Sequence, residues 1–240
     1  MSEDNNQSLW DNLLIAPSSP SATDNLLKSY KLYKDELSYK DIESQLSEGE
    51  TPQEFLASLA LQSAQSVNVL YRKNDAAHET KIHAWLASTI SCANRKALEL
   101  EQPFDGLSAD NIREIAILSA NPENITVLDR YLAENFGIIL QIQPGYPAMK
   151  MDGCVLRLET GNPMIGISLR YNRYDNFWFT LMHELSHICL HQDRLDTPII
   201  DDLEDGTDNE TETEANLLAR DSVVPRREWR ILYENRHDDD

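Results

Sequence analysis

The residues with the most chemistry to offer fall in Asn176–His191, NFWFTLMHELSHICLH. Inside this run His183-Glu184-Leu185-Ser186-His187 has the form H-E-x-x-H. Residues four apart on a helix lie on one face, one turn above the other. His183 and His187 can therefore grip one zinc ion through their imidazoles, while Glu184, beside the first ligand, can take a proton from a water held there. The chemistry indicated is zinc-dependent hydrolysis, most often of peptide bonds. The flanking Phe177, Trp178, Phe179, Leu181, Met182, Ile188 and Leu190 are apolar, which predicts a buried central helix. Polar groups inside such a helix need partners, and a metal is a good one. Asp175, or Asn176 if the boundary slips, is the expected N-cap.

A catalytic zinc takes three protein ligands and keeps a fourth position for water. Downstream, Thr211–Ala219 reads TETEANLLA and offers Glu212 and Glu214. Two residues apart is about 200° around a helix, so only one of them can face the ion. The run Ile167–His191, ISLRYNRYDNFWFTLMHELSHICLH, followed by ETEANLLARDSVVP, resembles the ImmA/IrrE family of metallo-endopeptidases over about Asn121–Trp229. The pattern L-R-x-[ND]-R-x-D-N-F-W-F-T-L-x-H-E-L-x-H carries the likeness. It implies a zinc-dependent protease domain. Many members of that family cut a repressor or antitoxin protein, often encoded next door, in mobile elements, toxin–antitoxin modules and stress responses. In the wider zincin group with a glutamate ligand, a second helix carries E-x-x-[AS]-[DN]. Glu212, Ala215 and Asn216 match it, which implies that Glu212 is the third ligand and that Asn216 holds a ligand histidine by its outer nitrogen. Glu214 is the competing ligand. The resemblance implies one zinc per chain. The helix-turn-helix carried by many fused family members is not recognisable here.

Charge narrows the partners. The 240 residues carry a formal net charge of −20, and no basic run exceeds Arg226-Arg227. Nucleic-acid affinity depends on neutralising phosphates, so direct DNA binding is not expected; a basic protein partner is favoured instead. Three cysteines, Cys92, Cys154 and Cys189, are scattered and odd in number, which fits a reducing compartment better than a disulfide framework. Cys189 stands two positions past His187, off the metal face, and reads as packing. No apolar run approaches the ~20 residues of a membrane span. The N-terminus lacks the pattern of a secretory signal. A cytoplasmic location follows.

The elements that must position the site read as α+β. Residues 1–25 form a polar tail, in which Trp10, Leu13, Leu14 and Ile15 could pack on the body. Residues 26–120 form a helical region, and residues 121–236 the metallopeptidase domain. Helices are expected over Leu26–Leu46, after the capping box Thr51-Pro52-Gln53-Glu54 (a stripe running to Val67 and Leu70), through Ile82–Leu98, from a Ser108 cap, and from Asn121-Pro122 to a C-terminal cap at Gly137. His78 and His83, five apart, sit about 140° apart on such a helix and do not suit the zinc geometry. Three strands, Ile138–Gln143, Cys154–Glu159 and Met164–Leu169, are expected to form a small antiparallel sheet. Zinc peptidases commonly bind substrate as an added strand; Met164–Leu169 is the candidate edge, or equally a core strand. The acid-rich Leu195–Asp208 reads as a solvated loop, and Trp229, Ile231 and Leu232 as a closing helix.

The function expected is limited cleavage of a specific protein partner of repressor or antitoxin type, with Glu184 as the base. Tyr171, Arg173 and Tyr174, just before the helix, are candidates to meet the oxyanion or substrate. Arg170 and Arg173 can equally be structural, paired with Asp152 or Asp175. The alternative is a catalytically silent or partner-gated antitoxin or regulatory subunit with the same fold. An intact Glu184 speaks against it, since a structural metal site has no need of a base.

Overall fold

The computed structural model describes residues 20–65, 77–171, 173–200 and 210–223. The chain divides into two units, Met1–Ser91 with Tyr146–Met149 and Cys92–Gly145 with Lys150–Asp240. The proposed docking residues Trp10, Leu13, Leu14 and Ile15, the Val67 and Leu70 end of the stripe, most of the acid-rich loop, and the closing helix at Trp229 lie outside the described residues.

The first unit is helical. Helices α1 (Pro20–Glu36) and α2 (Tyr39–Glu43) replace the single helix expected from Leu26. The break is local chemistry. Ser38 is extended and accepts from the Asp41 amide at 3.2 Å, while Asp41 Oδ2 accepts from the Ser38 amide at 3.0 Å. A serine bonding its neighbours in this way offers the backbone an alternative to continuing the helix. Helix α3 (Pro52–Gln65) begins at the expected box, with Thr51 N–H donating to Glu54 Oε2 at 2.8 Å. It packs against α1. Helix α4 (Ala77–Glu99) contributes the buried Ile82, Trp85 and Leu86 before passing the division at Ser91. His83 is half-buried on this helix. Asp41, 2 % exposed, pairs with Lys81 at 2.7 Å, and Lys81 also donates to the Pro147 carbonyl at 2.9 Å.

The second unit holds the sheet. Helix α5 (Ala109–Ile117) starts at the Ser108 cap. Two 3₁₀ turns, Leu118–Ala120 and Pro122–Val127, lead to α6 (Leu128–Phe136). Gly137 ends α6 with φ +66, a left-handed conformation that costs glycine little. A Cβ there would also lie 2.7 Å from the Pro103 backbone. Strands β1 (Ile139–Ile142), β2 (Gly153–Arg157), β3 (Pro163–Ile167) and β4 (Ile199–Ile200) form one sheet in the order β1-β3-β2-β4.

This sheet corrects one expectation and decides another. It is mixed, because β1 pairs β3 in parallel while β2 pairs β3 and β4 antiparallel. Of the two places left open for the third strand, edge or core, β3 takes the core: all five of its residues are buried, as a continuous apolar run flanked on both sides requires. The acid-rich stretch supplies β4, whose two isoleucines pair with Cys154 and Val155.

Helix α7 (Tyr174–Leu190) lies on β2 and β3, and α8 (Glu210–Val223) runs beside it. The core joins Ile112 and Ile115 of α5, Leu128 and Leu132 of α6, the sheet's Leu140, Val155 and Ile165, and Trp178, Leu181, Leu185 and Ile188 of α7. A division at residue 120 would split this core. No described helix is long and apolar enough to cross a membrane.

Candidate metal centre

Helix α7 forms because seventeen residues without Gly or Pro bury an apolar surface on the sheet. Its N-cap is Arg173, without a side-chain cap bond. The expected cap, Asp175, lies instead in the first turn, paired with the Arg173 guanidinium, where a carboxylate still favours the positive end of the helix dipole. Ser186, fully buried, satisfies its hydroxyl by donating to the Met182 carbonyl at 2.7 Å. Helix α8 brings Glu210 and Glu212 in its own first turn.

The two helices bring His183, His187 and Glu212 together. His183 Nε2 and His187 Nε2 are 3.0 Å apart. Glu212 Oε2 is 3.2 Å from His183 Nε2, and Glu212 Oε1 is 3.5 Å from His187 Nε2. A tetrahedral zinc with bonds of about 2.0–2.1 Å holds its ligand atoms about 3.3 Å apart. The donor set therefore fits such an ion in both chemistry and spacing. Asn216 Oδ1 lies 3.1 Å from the outer nitrogen of His183, Nδ1. Glu214 is not in the cluster: its Oε2 lies 3.1 Å from His191 Nε2.

Burial sets the electrostatics. His183 and His187 are 2 % and 0 % exposed. Burial pushes the His187 pKa below its usual value, against a hydrogen bond to the Glu212 carboxylate, which favours the neutral imidazole that metal binding needs. Burial alone would raise Glu212, but its hydrogen bonds with His183 and His187 outweigh it and hold the carboxyl well below the usual range. Glu184 is buried too, with its carboxylate against the start of β2. A Cβ at Gly153 would overlap Glu184 Oε1 and lie 2.9 Å from Thr180 Cγ2, so a larger residue there would have to displace one of these side chains.

The residues just before α7 are differently engaged. Tyr174 donates its hydroxyl to the Ser119 carbonyl at 2.6 Å. Arg173 pairs with Asp175, and the Arg170 guanidinium lies 5.0 Å from the Tyr171 ring centre. Tyr174 precedes His183 by nine residues, about 13 Å of helix rise. Asp152 is buried, and its pKa is raised by desolvation against the opposing charge of Arg170. Cys189 is half-buried against the core, as packing requires. Two residues of the site escape sequence reasoning. His191 extends the histidine stripe to i+8, a spacing visible in the run itself. Gly153 gives no signal beyond being a glycine in a strand.

Residues 133–240, somewhat under half the chain, match the family described as IrrE N-terminal-like domain, peptidase family M78. This is a metallopeptidase family, which implies a divalent metal. No curated protein and no solved structure matches the chain.

Proposed function

We propose that the chain, whose residues 133–240 match an ImmA/IrrE-family metallopeptidase domain, is a zinc-dependent endopeptidase making limited cuts in one protein partner. The partner is a DNA-binding repressor or antitoxin, and the setting is the cytoplasm, in a toxin–antitoxin, mobile-element or stress-response role. The observation that carries the reading is the cluster itself. Three donors of the right kinds stand 3.0–3.5 Å apart, and Glu184 is buried on the helix that carries the two histidines.

His183, His187 and Glu212 would hold the zinc, with Asn216 fixing the His183 ring. When bound, the metal polarises the scissile carbonyl and lowers the pKa of a water towards ~7. Glu184 accepts the proton of the attacking water and passes it to the leaving amine. Gly153 leaves the space that its carboxylate occupies. Of the candidates near the start of α7, Arg173 pairs with Asp175, Tyr174 donates to the Ser119 carbonyl and Tyr171 lies against the Arg170 guanidinium.

The test is incubation of the product of a neighbouring gene with wild type and with Glu184→Gln, read by intact mass. Cleavage at one or a few bonds by wild type alone is expected. Broad digestion of unrelated unfolded proteins rejects limited cleavage. A stable complex with no cleavage by either protein favours a binding subunit.

A further inference from the structure

The histidine stripe of α7 continues past the metal cluster. His191 is 4 % exposed, and its Nδ1 lies 3.2 Å from His187 Nδ1. Its other nitrogen, Nε2, lies 3.1 Å from Glu214 Oε2. Proton bookkeeping along this chain leaves one arrangement. If His187 offers its Nε2 lone pair to a metal, its proton sits on Nδ1. That N–H can bond His191 Nδ1 only if the latter carries a lone pair. The His191 proton is then on Nε2, and the atom it meets is a carboxylate oxygen, an acceptor. Each assignment forces the next, and the last lands on the group it needs.

We propose that His191 and Glu214 are positioning residues that lock the tautomer and ring orientation of His187 and raise its basicity toward the metal. Outer hydrogen bonds of this type commonly terminate on a carboxylate. The inference rests on the reading of His187 as a ligand. It also gives Glu214 a place. Standing about 200° around α8 from Glu212, it serves the stripe one turn further along α7 while Glu212 faces the cluster.

Zinc affinity of the full chain, by chelator competition, is the first test. His191→Ala is expected to weaken zinc binding by about 10–100-fold. Glu214→Ala should weaken it by roughly tenfold, and Glu214→Gln by less, because its amide oxygen still accepts from His191. The second test needs no variant: nitrogen-resolved NMR of the zinc-loaded wild type should place protons on His187 Nδ1 and His191 Nε2. A proton on His191 Nδ1 overturns the proposal. So does unchanged affinity in His191→Ala when His183→Ala has lost zinc. If His183→Ala itself keeps wild-type affinity, the metal reading fails, and this inference with it.

Discussion

At the scale of single residues the site makes separable demands. Glu184→Gln keeps the shape of the side chain and removes the proposed base. It should bind zinc as wild type does and lose cleavage by ~100-fold or more, the lower end of general-base contributions; undiminished cleavage of a confirmed substrate would reject the mechanism. His183→Ala removes a proposed ligand and leaves His187 buried beside a half-buried Glu212, so it should lose zinc by elemental analysis and some thermal stability with it. Glu214→Ala, outside the cluster, should still copurify with one zinc per chain. Gly153→Ala puts a methyl group where Glu184 Oε1 lies. It should cost about 1–3 kcal/mol by overpacking, and removing the Glu184 side chain in the same protein should recover part of that loss in a double-mutant cycle.

At the scale of elements, one helix end and one ion pair carry tests. Gly137 must be left-handed and must let the Pro103 backbone approach. Gly137→Ala meets both obstacles and should destabilise by roughly 2 kcal/mol or more, the left-handed penalty alone being about 1–2 kcal/mol. In the first unit, Asp41 is held below its ordinary pKa of 3.8. Burial opposes this, but bonds from Lys81 and Ser38 prevail. A carboxylate with a depressed folded pKa stabilises above its unfolded value and loses that contribution as pH falls through the folded one. Asp41→Asn should therefore cost on the order of 3 kcal/mol at neutral pH, and its deficit against wild type should shrink as pH drops below 3.8. Urea unfolding at a series of pH values measures it; a deficit that stays constant to pH 2 would assign the stability to packing.

At the scale of the whole molecule, charge and the division into units carry the tests of partner recognition. A net charge of −20 should speed encounter with a basic partner, so the cleavage rate should fall with added salt. Removing residues 1–120 would strip Ile112 and Ile115 from the core beneath α7. At roughly 2–5 kcal/mol for each large buried side chain, that truncation should lose zinc by unfolding. A truncation starting at Ala77, which keeps α4 whole, is instead expected to retain zinc and lose selectivity, if the first helices recognise the partner. Selective cleavage by that shorter chain would assign recognition to the metallopeptidase domain.

The candidate-site residues on α7 were legible because their signals are local. The spacing of His183 and His187 and the apolar flanks of one helix are properties of a few consecutive positions, as are the caps at Thr51, Ser108 and Gly137. The E-x-x-A-N pattern named Glu212 and Asn216 only through a resemblance, because nothing local says that a second helix lies beside the first. The tertiary structure alone decided which carboxylate meets which histidine: Glu212 and Glu214 are near equivalents in sequence, and only the placement of α8 beside α7 sends one to His183 and the other to His191. It also decided the sheet. A strand pattern records which residues are apolar but not which edges are paired, so the central place of β3 and its parallel partner β1 could not be read in advance. Gly153 is the same case at the smallest scale, since its lack of a side chain acquires meaning only when the Glu184 carboxylate arrives from another element.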